Sequence, residues 1–271
     1  MSAKAPAHPN AQHKLVLLLP DGLRDDTARG YMGYLQAMLE AGRASWSTLS
    51  CELPSLSRPL YATLITGQRP LDHGIISNAQ PGQRVAATLF DCLDENGLRS
   101  AVAAYHWFYE LLAGEVFEPL RHRHALPGRG VVGASWYFED EYPDSHLLAD
   151  AEHLRALHQP DFLLVHPMGP DHAGHQHGGE STAYALSARK LDMLLAHAVP
   201  AWHAQGYDVL LTSDHGMHAD RMHGGPLREE REVPLVWLPH RQESQAETPL
   251  PQRQIDVCGF MVERLLQGRR S

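Results

Sequence analysis

Three apolar runs in this chain each lead into an aspartate, and that repeated ending limits what the chain can fold into. KLVLLLP runs into Asp21, FLLVHPMGP into Asp171 and VLLTS into Asp214. Short Val/Leu-rich runs of this kind read as strands buried on both faces. Helices are predicted at 28–43, 57–65, 85–95, 146–157, 181–201 and 254–266, and further strands at 45–53, 100–104 and 233–238. Strands alternating with amphipathic helices imply an α/β fold with a mostly parallel sheet covered on both faces. Ligands of such sheets bind beyond the carboxyl ends of the strands. The three aspartates would stand there. One aspartate after a strand is ordinarily a turn or helix-cap residue; three in equivalent places, two of them beside histidines, suggest shared chemistry.

Histidine is the compositional anomaly, with 19 in the chain. His215 adjoins Asp214, and His223 follows after a short polar link and opens a Gly-Gly pair. In PDHAGH, a helical turn opened by Pro170 would put Asp171 and His175 on one face, because residues four apart align. His172 and His177 would point elsewhere, His166 reads as a core histidine and His218 as a bystander. Mixed Asp/His ligation suits Zn²⁺, with Mn²⁺ or Fe as alternatives, better than Ca²⁺ or Mg²⁺. Three aspartates and three histidines would supply two divalent metal ions. A pair of ions about 3.5–4 Å apart clamps the attacking and leaving oxygens of a phosphoryl group. Ser57, at the start of a predicted helix, is a candidate nucleophile facing an anion-binding terminus; Ser55 competes with it.

The chain has 271 residues and is 43% hydrophobic, enough for one large α/β domain. Its net charge of −9 argues against a nucleic acid duplex as partner. It leaves room for a small phosphate ester or nucleotide substrate, since bound cations reverse local charge. Cys51, Cys92 and Cys258 form no disulfide framework or CxxC motif, and no run is apolar or long enough for a signal peptide or a membrane span. The expectation is a cytoplasmic protein with no membrane partner. Residues 1–13 read as a flexible N-terminus, and 115–147, rich in Pro, Gly and aromatics, as a small cap or lid insertion.

PDG at 20–22, PSLSRP at 54–59, TG at 66–67, HGIISN at 73–78, PDHAGH at 170–175, SDHGM at 213–217 and HGG at 223–225 occur in one order. In that order and spacing the chain resembles the alkaline phosphatase superfamily, most closely its nucleotide pyrophosphatase/phosphodiesterase branch, over most of residues 14–240. The resemblance implies a three-layer α/β/α sandwich with a reduced cap, the chain being short for that branch. It implies that Asp21, Asp214, His215 and the Ser57 oxygen hold one ion, and that Asp171, His175 and His223 hold the other. It favours Ser57 over Ser55 as nucleophile and gives Asn78 a hydrogen bond to a non-bridging phosphate oxygen. Arg58 follows the nucleophile where many relatives carry an aromatic, and is a candidate phosphate contact. Trp107, Phe108 and Tyr109 could stack on a base or pack in the core.

The expected activity is a two-metal phosphodiesterase working through a phosphoserine on Ser57, with Asn78 and helix N–H groups binding developing charge. The alternatives are a phosphomonoesterase, phosphonate hydrolase or sulfatase of the same fold, or a metal-stabilised binding protein without catalysis. Ser57-Arg58-Pro59 vaguely resembles the sulfatase start C/S-x-P-x-R, but Tyr61 stands where its arginine should be.

Overall fold

Along the first strand, Leu15, Leu17 and Leu19 point to one side of the sheet and Val16 and Leu18 to the other, all of them buried. A strand apolar on both faces must lie inside a sheet with cover above and below. In the computed structural model, which describes residues 13–241 and 249–267, that strand is central. The strands are β1 (Lys14–Leu18), β2 (Ser45–Ser50), β3 (Ser100–Tyr105), β4 (Val131–Tyr137), β5 (Phe162–Val165), β6 (Tyr207–Thr212) and β7 (Glu232–Leu238). They form one sheet in the order β2-β7-β6-β1-β5-β3-β4. β7 alone among them runs opposite to the rest.

The helices are α1 (Asp25–Tyr31), α2 (Gly33–Glu40), α3 (Ser57–Thr66), α4 (Pro70–His73), α5 (Leu89–Glu95) and α6 (Trp107–Ala113). They continue with α7 (Pro119–His122), α8 (Asp144–His158), α9 (Gly169–His177), α10 (Thr182–Ala204), α11 (Arg228–Arg231) and α12 (Asp256–Leu266). α3, α5, α6 and α12 cover the Leu15/Leu17 face; α1, α2, α8 and α10 cover the Val16/Leu18 face. The result is a three-layer α/β/α sandwich. None of the described helices is long and apolar enough to cross a membrane.

Several expectations are corrected. The helix predicted over 28–43 is two helices, broken at Met32. The Asp192 carboxylate of α10 accepts the N–H groups of Tyr34 and Leu35, so a tertiary contact caps α2 where the sequence shows no cap. The helix at 85–95 begins only at Leu89, where Thr88 and Asp91 form a capping box. The span 115–147, expected as an irregular cap, contains β4, which pairs with β3 at the sheet edge. Its Gly133 and Ser135 obscure the strand signal. The flexible-terminus reading falls almost wholly on residues outside those described.

Register decides where the loops leave. Leu18 is level with Val165 of β5 and Leu211 of β6. The segments after β1, β5 and β6 therefore emerge side by side, and they carry Asp21, Asp171 and Asp214.

Asp144, the first residue of α8, accepts the Gly169 N–H at 3.2 Å and so ties α8 to the start of α9. Burial pushes its carboxyl up to about 6 against the pull of the Gly169 and Met168 N–H groups. A raised folded value means that Asp144 favours folding fully below about pH 4 and loses that contribution as pH rises through about 6. Asp144→Asn is therefore expected to gain about 1–2 kcal/mol over wild type at pH 8 and nothing at pH 3.5, measured by urea unfolding at both pH values.

Candidate active site

The turn after β1 is built around Gly22. Its φ of +64° suits glycine, and a Cβ there would lie 2.8 Å from Asp171 Oδ1. Its N–H donates to Asp214 Oδ1 at 3.2 Å. Ser213 accepts the Leu23 N–H at 2.9 Å and lies 2.7 Å from Pro20 O, joining the turns after β1 and β6. The absence of a side chain at Gly22 thus lets Asp171 approach the turn that follows β1.

Asp21 presents its two oxygens differently. Oδ2 receives the Tyr61 hydroxyl and faces His166 Nε2 at 3.3 Å. Oδ1 lies 3.4 Å from His215 Nε2 with no hydrogen bond. Asp171 Oδ1 and Asp214 Oδ2 are likewise buried without hydrogen-bond partners. Burial raises the Asp21 carboxyl, but the facing His166 and His215 imidazoles outweigh it and hold the group near 2. Burial and the Asp21 charge push Asp171 and Asp214 well above the usual carboxylate range.

Three imidazoles face these oxygens. His215 Nδ1 lies 2.8 Å from Gly216 O, His223 Nδ1 2.8 Å from Ser55 O, and His175 Nδ1 2.9 Å from Arg221 O. A carbonyl only accepts, so each Nδ1 carries the proton and each Nε2 turns a lone pair inward. Burial lowers the His223 value to about 3 and also lowers that of His215, favouring neutral rings. His223 Nε2 and His175 Nε2 stand 3.2 Å apart. This set of orphaned carboxylate oxygens and inward lone pairs fits a divalent transition metal.

Asp21, Asp214 and His215 bring ligand atoms within 4.8 Å of one another, as do Asp171, His215 and His223. His175 Nε2 lies 3.4 Å from Asp171 Oδ2 and is the exposed member. The two ligand sets therefore share a wall: His215 stacks on His223 with ring centroids 3.7 Å apart.

Ser57 is the first residue of α3, its Oγ 2.9 Å from His215 Nε2. Ser55 has a different task. Its Oγ lies 2.7 Å from Gly225 O and accepts the Gly224 N–H at 3.0 Å, shaping the turn that holds His223. Asn78 Oδ1 accepts the Arg58 N–H at 3.0 Å. This changes the expected use of the helix terminus, because Arg58 N–H is taken and Pro59 has none. The Arg58 guanidinium, expected at phosphate, is buried on Glu110 at 2.6 Å and 4.5 Å from the Trp107 ring centroid. Phe108 and Tyr109 are core residues, Phe108 stacking on Tyr61.

Tyr61, His166 and Tyr137 were not read from the sequence as site residues. His166 Nδ1 lies 2.9 Å from the Tyr137 hydroxyl, which also bonds His166 O at 2.7 Å. The one available signal was Tyr61, four residues after Ser57 and so on its face of α3. Burial holds the Tyr61 hydroxyl far above its ordinary value, keeping it a donor to Asp21. Tyr61→Phe is expected to lower stability by about 1–2 kcal/mol in urea titration, since Oδ2 would keep only His166; an unchanged midpoint would show that the hydroxyl adds nothing.

The sequence profile of the type I phosphodiesterase / nucleotide pyrophosphatase family matches residues 15–88 and 135–225, which include every residue of the ligand set, Ser57 and Asn78. The chain is 24% identical over 240 residues to the GPI ethanolamine phosphate transferase 2 catalytic subunit of Homo sapiens, covering 83% of this chain and 23% of that protein. It is 26% identical over 216 residues to ectonucleotide pyrophosphatase/phosphodiesterase family member 1 of Mus musculus, covering 73% of this chain and 23% of that protein. The chain thus spans about a quarter of the length of these curated relatives. Among solved structures, human ectonucleotide pyrophosphatase / phosphodiesterase 5 superposes with a TM-score of 0.69 at 12% identity, over 93% of this chain and 95% of that one. Phosphonoacetate hydrolase from Sinorhizobium meliloti gives 0.57 at 18% identity, over 77% and 57%. With its fold and the matched segments taken together, the chain belongs to the type I phosphodiesterase / nucleotide pyrophosphatase family of the alkaline phosphatase superfamily.

Proposed function

We propose that this chain is a metal-dependent phosphodiesterase acting on a small phosphate ester or nucleotide through a covalent phosphoserine on Ser57. The observation that carries the reading is the position of Ser57 Oγ, 2.9 Å from His215 Nε2 at the edge of the shared ligand wall. Asp21, Asp214 and His215 would hold one divalent ion and Asp171, His175 and His223 a second, with Zn²⁺ favoured by the donor set and Mn²⁺ an alternative. Such ions supply Lewis acidity and favour the ionised serine.

The chain's own groups do the rest. Ser57 Oγ forms the bond to phosphorus as the bond to the leaving alcohol breaks. Asn78, with its Oδ1 occupied, offers its Nδ2 donor to a non-bridging oxygen. Water then forms the new bond to phosphorus, the Ser57 Oγ–phosphorus bond breaks, and a phosphate monoester leaves. A monoesterase would need a cation on the additional phosphate oxygen. Arg58, the arginine beside the nucleophile, is committed to Glu110, which favours diesters. A second reading, transfer of the phosphoryl group to an alcohol instead of water, draws on the likeness to ethanolamine phosphate transferases. An amino alcohol added to the assay would then yield a new diester.

Ser57→Ala in zinc-loaded protein is expected to lower turnover of bis(4-nitrophenyl) phosphate by at least about 1,000-fold while metal content stays unchanged. Wild type is expected to prefer this diester to 4-nitrophenyl phosphate by kcat/KM. A clear monoester preference would reverse the assignment, and activity surviving in the alanine variant would remove Ser57 from the mechanism.

A further inference from the structure

Arg58 follows the nucleophile directly, yet it turns into the protein. Its side chain is 2% exposed, and that of Glu110, its partner on α6, 3%. It makes three polar contacts. Nη1 donates to Glu110 Oε2 at 2.6 Å, Nε donates to Asn78 O at 3.1 Å, and the backbone N–H donates to Asn78 Oδ1 at 3.0 Å. Glu110 extends the same fastening. Its Oε2 accepts the Gly82 N–H at 3.3 Å and its Oε1 the Phe117 N–H at 3.1 Å. Gly82 has φ +68°, and a Cβ there would lie 3.2 Å from Val116 N, so the loop packs closely at this point. Residues 74–88 contain neither helix nor strand, so the position of Asn78 depends on such contacts.

A buried ion pair is a weak stabiliser, because desolvation offsets most of the attraction. Geometry is its better-defined product here. The Arg58 N–H can only donate, so the carboxamide atom facing it must be Oδ1, and the Nδ2 donor points away from the helix backbone. With Pro59 lacking an N–H and Arg58 N–H engaged, α3 passes the polarity of its first turn outward through Asn78. A donor held before substrate arrives stabilises charge without reorganising.

We propose that the buried Arg58–Glu110 pair is a positioning device that locks Asn78 with its Nδ2 donor aimed at the phosphoryl group, and that Arg58 itself never touches substrate. The proposal rests on the roles given above to Ser57 and Asn78.

A double-mutant cycle in zinc-loaded protein tests it, with kcat and KM for bis(4-nitrophenyl) phosphate measured for wild type, R58K, N78A and the double variant. Lysine can keep the charge opposite Glu110 but has no Nε–H for Asn78 O. N78A is expected to lower kcat about 100-fold. R58K is expected to lower it about tenfold with KM changed less than about twofold. In the N78A background R58K is expected to cost less than about twofold, since a residue acting through Asn78 has nothing left to position. An equal cost of R58K in both backgrounds overturns the proposal, as does an effect confined to KM, which would mark a direct substrate contact. If R58K does not fold, E110Q runs the same cycle with the same deciding outcomes. Diesterase activity surviving in S57A sinks the functional reading alone. The cycle is then read on the Kd of inorganic phosphate by calorimetry, where non-additivity upholds the positioning device and additivity overturns it.

Discussion

Three carboxylates are buried within reach of one another at one edge of the sheet, and among the described residues their ion-pair partners are all histidines. Asp171 and Asp214 are pushed up by burial and by the charge of Asp21, the strain expected of like charges in a site that water does not screen. A divalent ion relieves that strain and gains affinity from it, so the same arrangement that costs folding free energy creates the binding site. The surroundings follow from this constraint. Backbone carbonyls hold the Nδ1 side of each imidazole, Tyr61 and His166 hold one oxygen of Asp21, and Gly22 leaves room for Asp171. These contacts fix orientation while leaving one oxygen each of Asp21, Asp171 and Asp214 unpaired.

The sheet makes this convergence possible. β1 is hydrogen-bonded on both sides by parallel strands that end level with it, so the three acidic loops begin from one line. Segments 150 residues apart in sequence can then meet without a long connection crossing the site. The level ends also explain the sharing of His215. Asp214 and His215 leave β6 beside Asp21, and the stacked ring of His223 brings Asp171 to the other side of the same imidazole.

Much of this was legible because it depends on short-range rules. Apolar runs ending at Asp21, Asp171 and Asp214 revealed the strands and the edge to inspect, and the four-residue spacing of Asp171 and His175 is a helical property that α9 obeys. What was not legible depends on partners remote in sequence. The break at Met32 is stabilised by Asp192, β4 acquires its strand character by pairing with β3, and His166, read as an ordinary core residue, is oriented by Tyr137 toward Asp21. Arg58 shows the limit most clearly. Adjacency to Ser57 suggested a phosphate contact, but the direction of its side chain is set by Glu110, 52 residues away.

The matched family segments stop at residue 88 and resume at 135, and Glu110, Trp107 and Phe117 lie between them. The ligand set, Ser57 and Asn78 therefore lie within the matched segments, and Glu110 on α6 lies outside them. A reacting centre and the support for one of its donors have different requirements. Metal ligation demands particular atoms at fixed distances. Holding a carboxamide demands only one donor for its orientation, here the Arg58 N–H, and enough packing to prevent its rotation. In this chain α3 supplies the donor and α6 braces it, through a carboxylate that reaches Arg58, Gly82 and Phe117 at once.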